Sequence, residues 1–315
     1  MAWETFERSI ERAIEYRQIN LDRLGIDIGV SLCGLGEPLL NPRAADAVAA
    51  VRAAGLDVTM SSNGSLLDER RGAALLEAGL QGIWINVGAE GDDYEEVYQL
   101  PFQRTLDNVV RFNEMAEGRC EVTVVLVDYL ADPSHISRMQ RFWEDHGVAR
   151  SYTYDVINRG GSLFVDHMQY ETYGEVAAAK AQLVAAAGTP ICRAPFAYLF
   201  IGYDGQYYLC CSDWEKQAPM GSVHDHSFLD VTEAKLAYVA SREPVCKTCN
   251  LDPVNRLTEE LHAVAVGQAP EGAAAEMLQR VTDDVNGTRS IVEGLGFEVP
   301  APSPDRRRLI PIRPV

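Results

Sequence analysis

Four cysteines in the second half of the chain have the residue type and spacing of metal ligands. Cys246 and Cys249 are separated by two residues, and Cys192 and Cys210 lie at the two ends of CRAPFAYLFIGYDGQYYLC. A C-x-x-C spacing lets two thiolates bind one metal centre. The Asp-Gly pair at 204–205 predicts a β-hairpin that would hold Cys192 and Cys210 at its base. Two such pairs that converge would form a four-thiolate site, suited to zinc or to an iron–sulfur cluster.

Other interpretations of these thiols remain open. Cys211 directly follows Cys210, and because side chains alternate along a strand, only one of the two would face the site. Cysteine also occurs in protein cores as a small apolar residue without any ligand. We expect this core role for Cys33 and Cys120, which lie in or beside predicted strands.

The elements that must position these residues alternate between strand and helix patterns from residue 3 to about 190. A helix at about 3–19 comes first, and a further helix at about 171–187 comes last. Between them are five strand patterns, GIDIGVSLCG, LDVTMSS, GIWINVG, CEVTVVLVDYL and ARSYTYDVIN. Helix patterns such as PRAADAVAAVRAAG and SHISRMQRFWEDHG separate the strands. Repeated strand–helix units predict an α/β fold, with a parallel sheet covered by helices.

After residue 189 the pattern changes to aromatic, hairpin-like strands, the CKTC segment and a helical stretch at about 256–296. We therefore predict a domain over 1–189, a small cysteine-containing module over 190–260, and C-terminal helices with a basic, Pro-rich tail over 261–315. We expect the tail to be poorly ordered and to dock on the acidic body of the protein.

The charge and the apolar pattern exclude several classes of partner. The 315 residues carry a net charge of −18, which repels phosphate backbones and anionic lipid surfaces. We therefore expect no nucleic-acid or membrane binding. The N-terminus lacks the apolar region of a signal peptide, which predicts a cytoplasmic protein. In that compartment seven cysteines, an odd number, favour metal ligands or free thiols over a disulfide framework.

The cysteine spacing, C-x12-G-x4-C followed by C-x2-C, resembles the SPASM/Twitch extension of radical S-adenosylmethionine enzymes. No cysteine follows Cys249, so the resemblance is to the shorter Twitch form with one cluster. It implies that Cys192, Cys210, Cys246 and Cys249 are the ligands of a [4Fe–4S] cluster. A structural zinc site remains the alternative.

Two turns in the first half resemble the same superfamily. CGLGEPLLNP at 33–42 resembles the Gly-Gly-Glu-Pro motif after the second barrel strand, where the family binds the amino group of S-adenosylmethionine. MSSNGSLLDE at 60–69 resembles the third-strand T-N-G-T-L stretch. Without the resemblance, both are ordinary turns and helix caps. The residues that it implies in cofactor binding are Gly34, Gly36, Glu37, Pro38, Ser62 and Asn63.

Two further segments depart from the family pattern or match it loosely. INVGAEG at 85–91 lies where relatives show I-S-L-D-G, with Gly88 in place of the serine and Glu90 in place of the aspartate. Asn86 or Glu90 would then have to supply any ribose contact. VINRGG at 156–161 resembles the end of the sixth strand, so Arg159 either binds a carboxylate of the cofactor or substrate or forms an ordinary surface ion pair.

The superfamily motif C-x3-C-x2-C, which holds the cluster that cleaves S-adenosylmethionine, is absent from these residues. It belongs at the end of a first strand, and this chain opens on the helix that would follow that strand. We expect truncation rather than a degenerate, non-catalytic relative, because loss of the strand leaves an unpaired sheet edge. The implied fold is a partial parallel (β/α)6-type barrel, with its first strand missing, followed by the small hairpin module.

The resemblance implies an enzyme of oxidoreductase or transferase type. Its 5′-deoxyadenosyl radical would abstract hydrogen from a small metabolite or a peptide, and a ferredoxin or flavodoxin would supply electrons. The acidic composition favours a cationic substrate. The sequence assigns no catalytic residue. A zinc-ribbon binding protein is the alternative from a different class.

Overall fold

The computed structural model describes residues 1–128, 132–166, 168, 174–270 and 272–301. The chain forms two compact units. One unit comprises Asp27–Val156, and the other comprises Met1–Ile26 together with the described part of Ile157–Val315. The basic, Pro-rich tail that we expected to be poorly ordered lies outside the described residues, except for Ala301. The predicted boundaries of the cysteine-containing module, at residues 189 and 260, stay a prediction.

The unit Asp27–Val156 contains a five-stranded sheet in which every neighbouring pair of strands is parallel. The strands follow in chain order across the sheet. They are β1 (Val30–Leu32), β2 (Val58–Ser62), β3 (Gly82–Asn86), β4 (Glu121–Asp128) and β5 (Ser151–Asp155). The predicted α/β class with a parallel sheet is confirmed.

Helices connect these strands, as parallel pairing requires. After α1 (Trp3–Leu24), which belongs to the other unit, they are α2 (Ala44–Ala53), α3 (Glu69–Glu77), α4 (Gly91–Tyr98), α5 (Phe102–Ala116) and α6 (Pro133–Asp145). Alternation fixes the two faces of the sheet: Ile83 and Ile85 are fully buried, whereas Trp84 between them is 36% exposed.

The second unit contains a three-stranded antiparallel sheet, six α-helices besides α1 and the short 3-10 helix Arg159–Gly161 within the described residues. In chain order its elements are α7 (Gly174–Ala187), α8 (Ala194–Ala197), β6 (Phe200–Ile201), β7 (Gln206–Tyr208), β8 (Pro219–Ser222), α9 (Phe228–Ala240), α10 (Pro244–Thr248), α11 (Pro253–Ala265) and α12 (Ala273–Gly294). The predicted hairpin forms between β6 and β7, with Phe200 opposite Tyr208. Gly205 has a φ of +77°, the left-handed conformation that its turn requires.

Two details differ from the sequence prediction. The helical stretch predicted at about 256–296 is two helices, because Gly267 (φ +75°) ends α11 and Pro270 follows it. Cys33 is exposed rather than part of the core, since β1 ends at Leu32 and Cys33 begins the following turn. Cys120 is buried, as expected. Among the described residues, no helix combines the length and the apolar character needed to cross a bilayer.

Candidate metal centre

The four predicted cysteines line one cavity in the second unit. All four are buried, with 5–9% of their surface exposed. The empty volume of the cavity, including the part open to solvent, is about 290 Å³. Cys211 is half-buried and does not line the cavity. The other lining residues are Ala194, Pro195, Leu209, Ser212, Val245, Leu251 and Asp252.

Each cysteine reaches the cavity from the end of a short element. Cys192 lies two residues before α8, and Cys210 lies two residues after β7. Cys246 is inside α10, and Cys249 is the residue that ends it, with extended φ/ψ of −84° and 129°. The Cys192 thiol donates to the carbonyl oxygen of Leu251 at 3.5 Å.

Burial in this apolar cavity raises the pKa of all four thiols, that of Cys210 to about 12. Nearby negative charge adds to the increase: the pKa of Cys246 is raised by Asp252 and, to a smaller extent, by Cys192, Cys210 and Cys249. The four sulfurs therefore lie close enough to interact. As four thiolates, they would need a bound metal centre to offset burial and repulsion.

Backbone N–H groups oppose this increase. The N–H of Ala194 lowers the pKa of Cys192, and the N–H of Ser212 lowers that of Cys210. The pKa of Cys249 is lowered by the N–H groups of Leu251 and Gly160. Hydrogen bonds to cysteine sulfur are among the contacts that stabilise and tune iron–sulfur clusters. The donor set of four thiolates with N–H groups beside three of them thus fits such a cluster.

Within the described ranges, no three His, Cys, Asp or Glu side chains are arranged so that they would hold a single metal ion. The Ser212 hydroxyl is buried beside Cys249 and lowers the pKa of that thiol, which burial raises.

A buried asparagine holds the loop between Cys246 and Cys249. The side-chain amide of Asn255 donates to the carbonyl oxygens of Cys246, Lys247 and Cys249, at 3.1, 2.9 and 2.8 Å. Asn255 lies in the first turn of α11, so the start of this helix fixes the C-x-x-C loop.

An ion pair supports the same helix start. Asp252 is 1% exposed and caps α11 by accepting hydrogen bonds from the N–H groups of Val254 and Asn255. Arg242 contacts Asp252 at 2.9 Å and donates to the side-chain oxygen of Asn255 at 2.7 Å. Burial raises the pKa of Asp252, and the Arg242 guanidinium opposes this increase.

The NRGG segment at 158–161 packs against the same loop. The Asn158 side chain donates to the carbonyl oxygen of Thr248 at 2.6 Å, and Asn158 and Asn250 exchange two hydrogen bonds of 3.1 Å. A Cβ atom on Gly161, whose φ is +90°, would lie 2.5 Å from the Thr248 Cβ. The Arg159 guanidinium lies 5.4 Å from the centre of the Trp214 ring. The structure thus places Arg159 beside a residue of the cysteine module.

In the other unit, the structure brings together four of the predicted cofactor residues at the strand ends. The Glu37 carboxylate accepts hydrogen bonds from the Ser62 hydroxyl at 2.9 Å and from the Asn63 N–H at 2.8 Å. The Asn86 amide donates to the Ser61 hydroxyl at 3.1 Å. Glu37 also caps the short 3-10 helix Pro38–Leu40.

The glycines of this region differ in their surroundings. Gly34 and Gly36 have open space where a side chain would lie. Gly88 is closely packed: a Cβ atom there would lie 3.2 Å from the Tyr98 hydroxyl. The Gly88 carbonyl is 2.9 Å from His135 Nε2, and its N–H donates to Tyr98. This close packing favours glycine at position 88, and only the fold brings His135 to this loop.

Comparison with known proteins agrees with this geometry. Residues 192–250 match the family model of SPASM, an iron–sulfur cluster-binding domain. No curated protein matches the chain in sequence. Among solved structures, anSMEcpe with bound AdoMet shares 12% identity over 90% of both chains, with a TM-score of 0.53.

A second similar protein is Streptococcus suis SuiB. The structure bound to precursor peptide SuiA shares 13% identity over 79% of this chain and 66% of SuiB, with a TM-score of 0.50. In another SuiB structure the match covers 45% of this chain and only 33% of SuiB, at 15% identity and a TM-score of 0.36. The present chain thus spans one to two thirds of the SuiB chain.

These findings show that the described part of the chain has an α/β fold similar to that of anSMEcpe and SuiB. Residues 192–250, which include all four cysteines of the cavity, match a SPASM iron–sulfur cluster-binding domain.

Proposed function

We propose that this protein is a radical S-adenosylmethionine enzyme whose SPASM module holds an auxiliary [4Fe–4S] cluster. The observation that carries the proposal is the shared cavity of four buried cysteines within the matched domain. When bound, S-adenosylmethionine and iron–sulfur clusters would supply the radical chemistry of hydrogen abstraction.

The chain's own residues would hold the auxiliary cluster and exclude water from it. Cys192, Cys210, Cys246 and Cys249 would be its ligands, while Cys211 would remain free. Asn255 and the Arg242–Asp252 pair keep the C-x-x-C loop in place through the start of α11. Such partners around the ligands set the stability and the potential of a cluster.

At the strand ends of the other unit, the Glu37 carboxylate is already bonded to Ser62 and Asn63. We infer that Glu37 holds the turn of residues 34–38 against the end of β2. The open turn at Gly34 and Gly36, with Pro38, Asn63 and Asn86 beside it, would then receive S-adenosylmethionine. Ligands of parallel α/β folds bind at the carboxyl ends of the strands, where this cluster of residues lies.

For the substrate, a peptide is the class best supported. Two proteins with the same fold were solved with peptides, SuiB with SuiA and anSMEcpe with the Kp18Cys peptide. The net charge of −18 would favour a cationic peptide, and a cationic small molecule is the other class. A ferredoxin or flavodoxin would supply electrons.

Hydrogen abstraction also requires the C-x3-C-x2-C motif, which this sequence does not contain. The proposal for the complete reaction therefore applies to these residues together with a segment that supplies three cysteines. The 315-residue chain itself would bind the auxiliary cluster and S-adenosylmethionine.

The test is anaerobic reconstitution of the 315-residue chain with iron and sulfide, followed by metal analysis and calorimetry with S-adenosylmethionine. We expect about four irons per chain, a brown protein and binding of S-adenosylmethionine that the S62A variant weakens. Stoichiometric zinc in a colourless protein would instead identify a structural zinc ribbon, and absence of binding would refute the cofactor site.

A further inference from the structure

Lys235 of α9 is a buried lysine with 2% of its surface exposed. Lysine is almost never fully buried unless its charge is paired. Its ammonium donates to two neutral acceptors, the carbonyl oxygens of Pro195 at 2.9 Å and of Tyr198 at 3.0 Å. Negative charge at Cys210 or Cys211 would favour its protonated form.

The position of Lys235 connects two segments of the cysteine cavity. Pro195 and Tyr198 lie three and six residues after Cys192, at the start and end of α8, and Pro195 itself lines the cavity. Cys210 approaches from the end of β7 and interacts electrostatically with the same ammonium. The cation therefore lies beside the cavity, within range of one of its four sulfurs.

Burial of this ammonium is unfavourable. Desolvation lowers the pKa of Lys235 to about 8, and negative charge at Cys210 would oppose that shift. A buried charge persists in proteins when an opposite charge or a metal centre compensates it. A cluster with four thiolate ligands is an anion, because the negative charge of the thiolates exceeds the positive charge of its iron–sulfur core.

We propose that Lys235 is the counter-charge of the auxiliary cluster and raises its reduction potential. This inference rests on the proposed function. The reduced cluster carries one electron, and hence one negative charge, more than the oxidised cluster. A fixed cation in a medium of low dielectric constant stabilises the more negative state more strongly. Lys235 therefore favours the reduced form and eases uptake of an electron.

The experiment is a redox titration, followed by electron paramagnetic resonance, of the anaerobically reconstituted 315-residue chain. K235Q keeps an amide donor for the two carbonyls but removes the charge. We expect K235Q to lower the equilibrium constant for one-electron reduction at least tenfold, a fall in midpoint potential of about 59 mV. K235R, which keeps the charge, should stay near the wild-type potential.

K180Q is the matched control, because Lys180 of α7 is half-buried and is not among the residues that line the cavity. Solvent screens its charge, so its removal should shift the potential much less. A K235Q protein with full iron content and the wild-type potential would overturn the proposal. So would an equal shift in K180Q.

Two further outcomes separate this inference from the proposed function. If K235Q does not load, the potential is measured in K235M, which has a similar length and no polar atom to satisfy. If K235R binds the cluster and neither K235Q nor K235M does, the result would support a requirement for positive charge at this position. If none of the three variants binds the cluster, only the shape of the lysine side chain matters, and the proposal would be overturned. A wild-type chain that binds no iron refutes both proposals; a loaded wild type with an unaltered K235Q potential refutes only this one.

Discussion

The side-chain amide of Asn255 donates a hydrogen bond to the carbonyl oxygen of Cys249 at 2.8 Å. The same amide nitrogen also contacts the carbonyl oxygens of Cys246 and Lys247. One buried side chain thus fixes both ends of the C-x-x-C loop, and the loop geometry depends on a residue six positions after the last cysteine.

The first prediction concerns this amide. N255A leaves buried carbonyl oxygens without a donor, so we expect a loss of about 1–3 kcal/mol in the free energy of unfolding and a lower iron content after reconstitution. Urea denaturation and iron analysis measure the two effects. N113A is the control, because Asn113 is only half-buried and makes its hydrogen bond to Gly147 at the surface. If N255A and N113A have the same free energy of unfolding and the same iron content, Asn255 does not organise the C-x-x-C loop.

The second prediction separates the adjacent cysteines. Cys210 lines the cavity, whereas Cys211 does not. C210S should therefore lose most of the bound iron, and C211S should keep the wild-type content and visible absorption spectrum. Iron and sulfide analysis of the two variants decides between them. Loss of iron in C211S with retention in C210S would reverse the assignment.

The third prediction concerns the close approach of Gly161 to Thr248. G161A places a methyl group 2.5 Å from the Thr248 Cβ and forces alanine into a φ of +90°. We expect a destabilisation of about 1–3 kcal/mol, because the backbone strain and the clash both oppose the native loop. Urea denaturation is the measurement.

The control for G161A is G287A, in the interior of α12, where a Cβ meets open space. Alanine should leave that helix unchanged or stabilise it by about 0.5–1 kcal/mol. If G161A is as stable as G287A, the NRGG segment does not pack on the C-x-x-C loop.

The fourth prediction follows from the raised pKa of Cys210. Burial first, and then the neighbouring Cys211 thiolate, raise this pKa to about 12. An unfolded thiol titrates near pH 8.5, so the folded metal-free chain retains the proton more strongly. The resulting stability is complete below about pH 8.5 and is lost as the pH rises towards 12.

Between about pH 8 and pH 10, the metal-free chain should lose about 2 kcal/mol of unfolding free energy through Cys210. Urea denaturation at the two pH values measures this loss. In C210S the hydroxyl does not titrate in this range, so the loss should be smaller by that amount. An identical pH dependence in both proteins would contradict the buried, protonated state of Cys210.

The sequence was sufficient to predict those parts of the fold that local patterns determine. Five β-branched or aromatic runs separated by helix patterns gave the parallel sheet, and the Asp-Gly turn at 204–205 gave the hairpin. Spacing also selected Cys192, Cys246 and Cys249 but left the choice between Cys210 and Cys211 open, and the structure places Cys210 in the cavity. These features depend on short-range periodicity and on residues with restricted backbone preferences.

Other features depend on contacts that no local pattern encodes. Helix α4 and strand β8 were not predicted, and the latter exists through its pairing with β7. No local sequence pattern marks Asn255 or Lys235, and only the fold places their polar atoms against the cysteine segments. Cys33 was misassigned because β1 is shorter than the apolar run that contains it.

The most direct measurement is X-ray absorption at the iron and zinc edges of the anaerobically reconstituted chain. The account predicts iron bound by sulfur, with an iron–iron scattering contribution that is lost in C246S and C249S. Zinc bound by four sulfurs, or iron that remains in both of these variants, would contradict the auxiliary cluster.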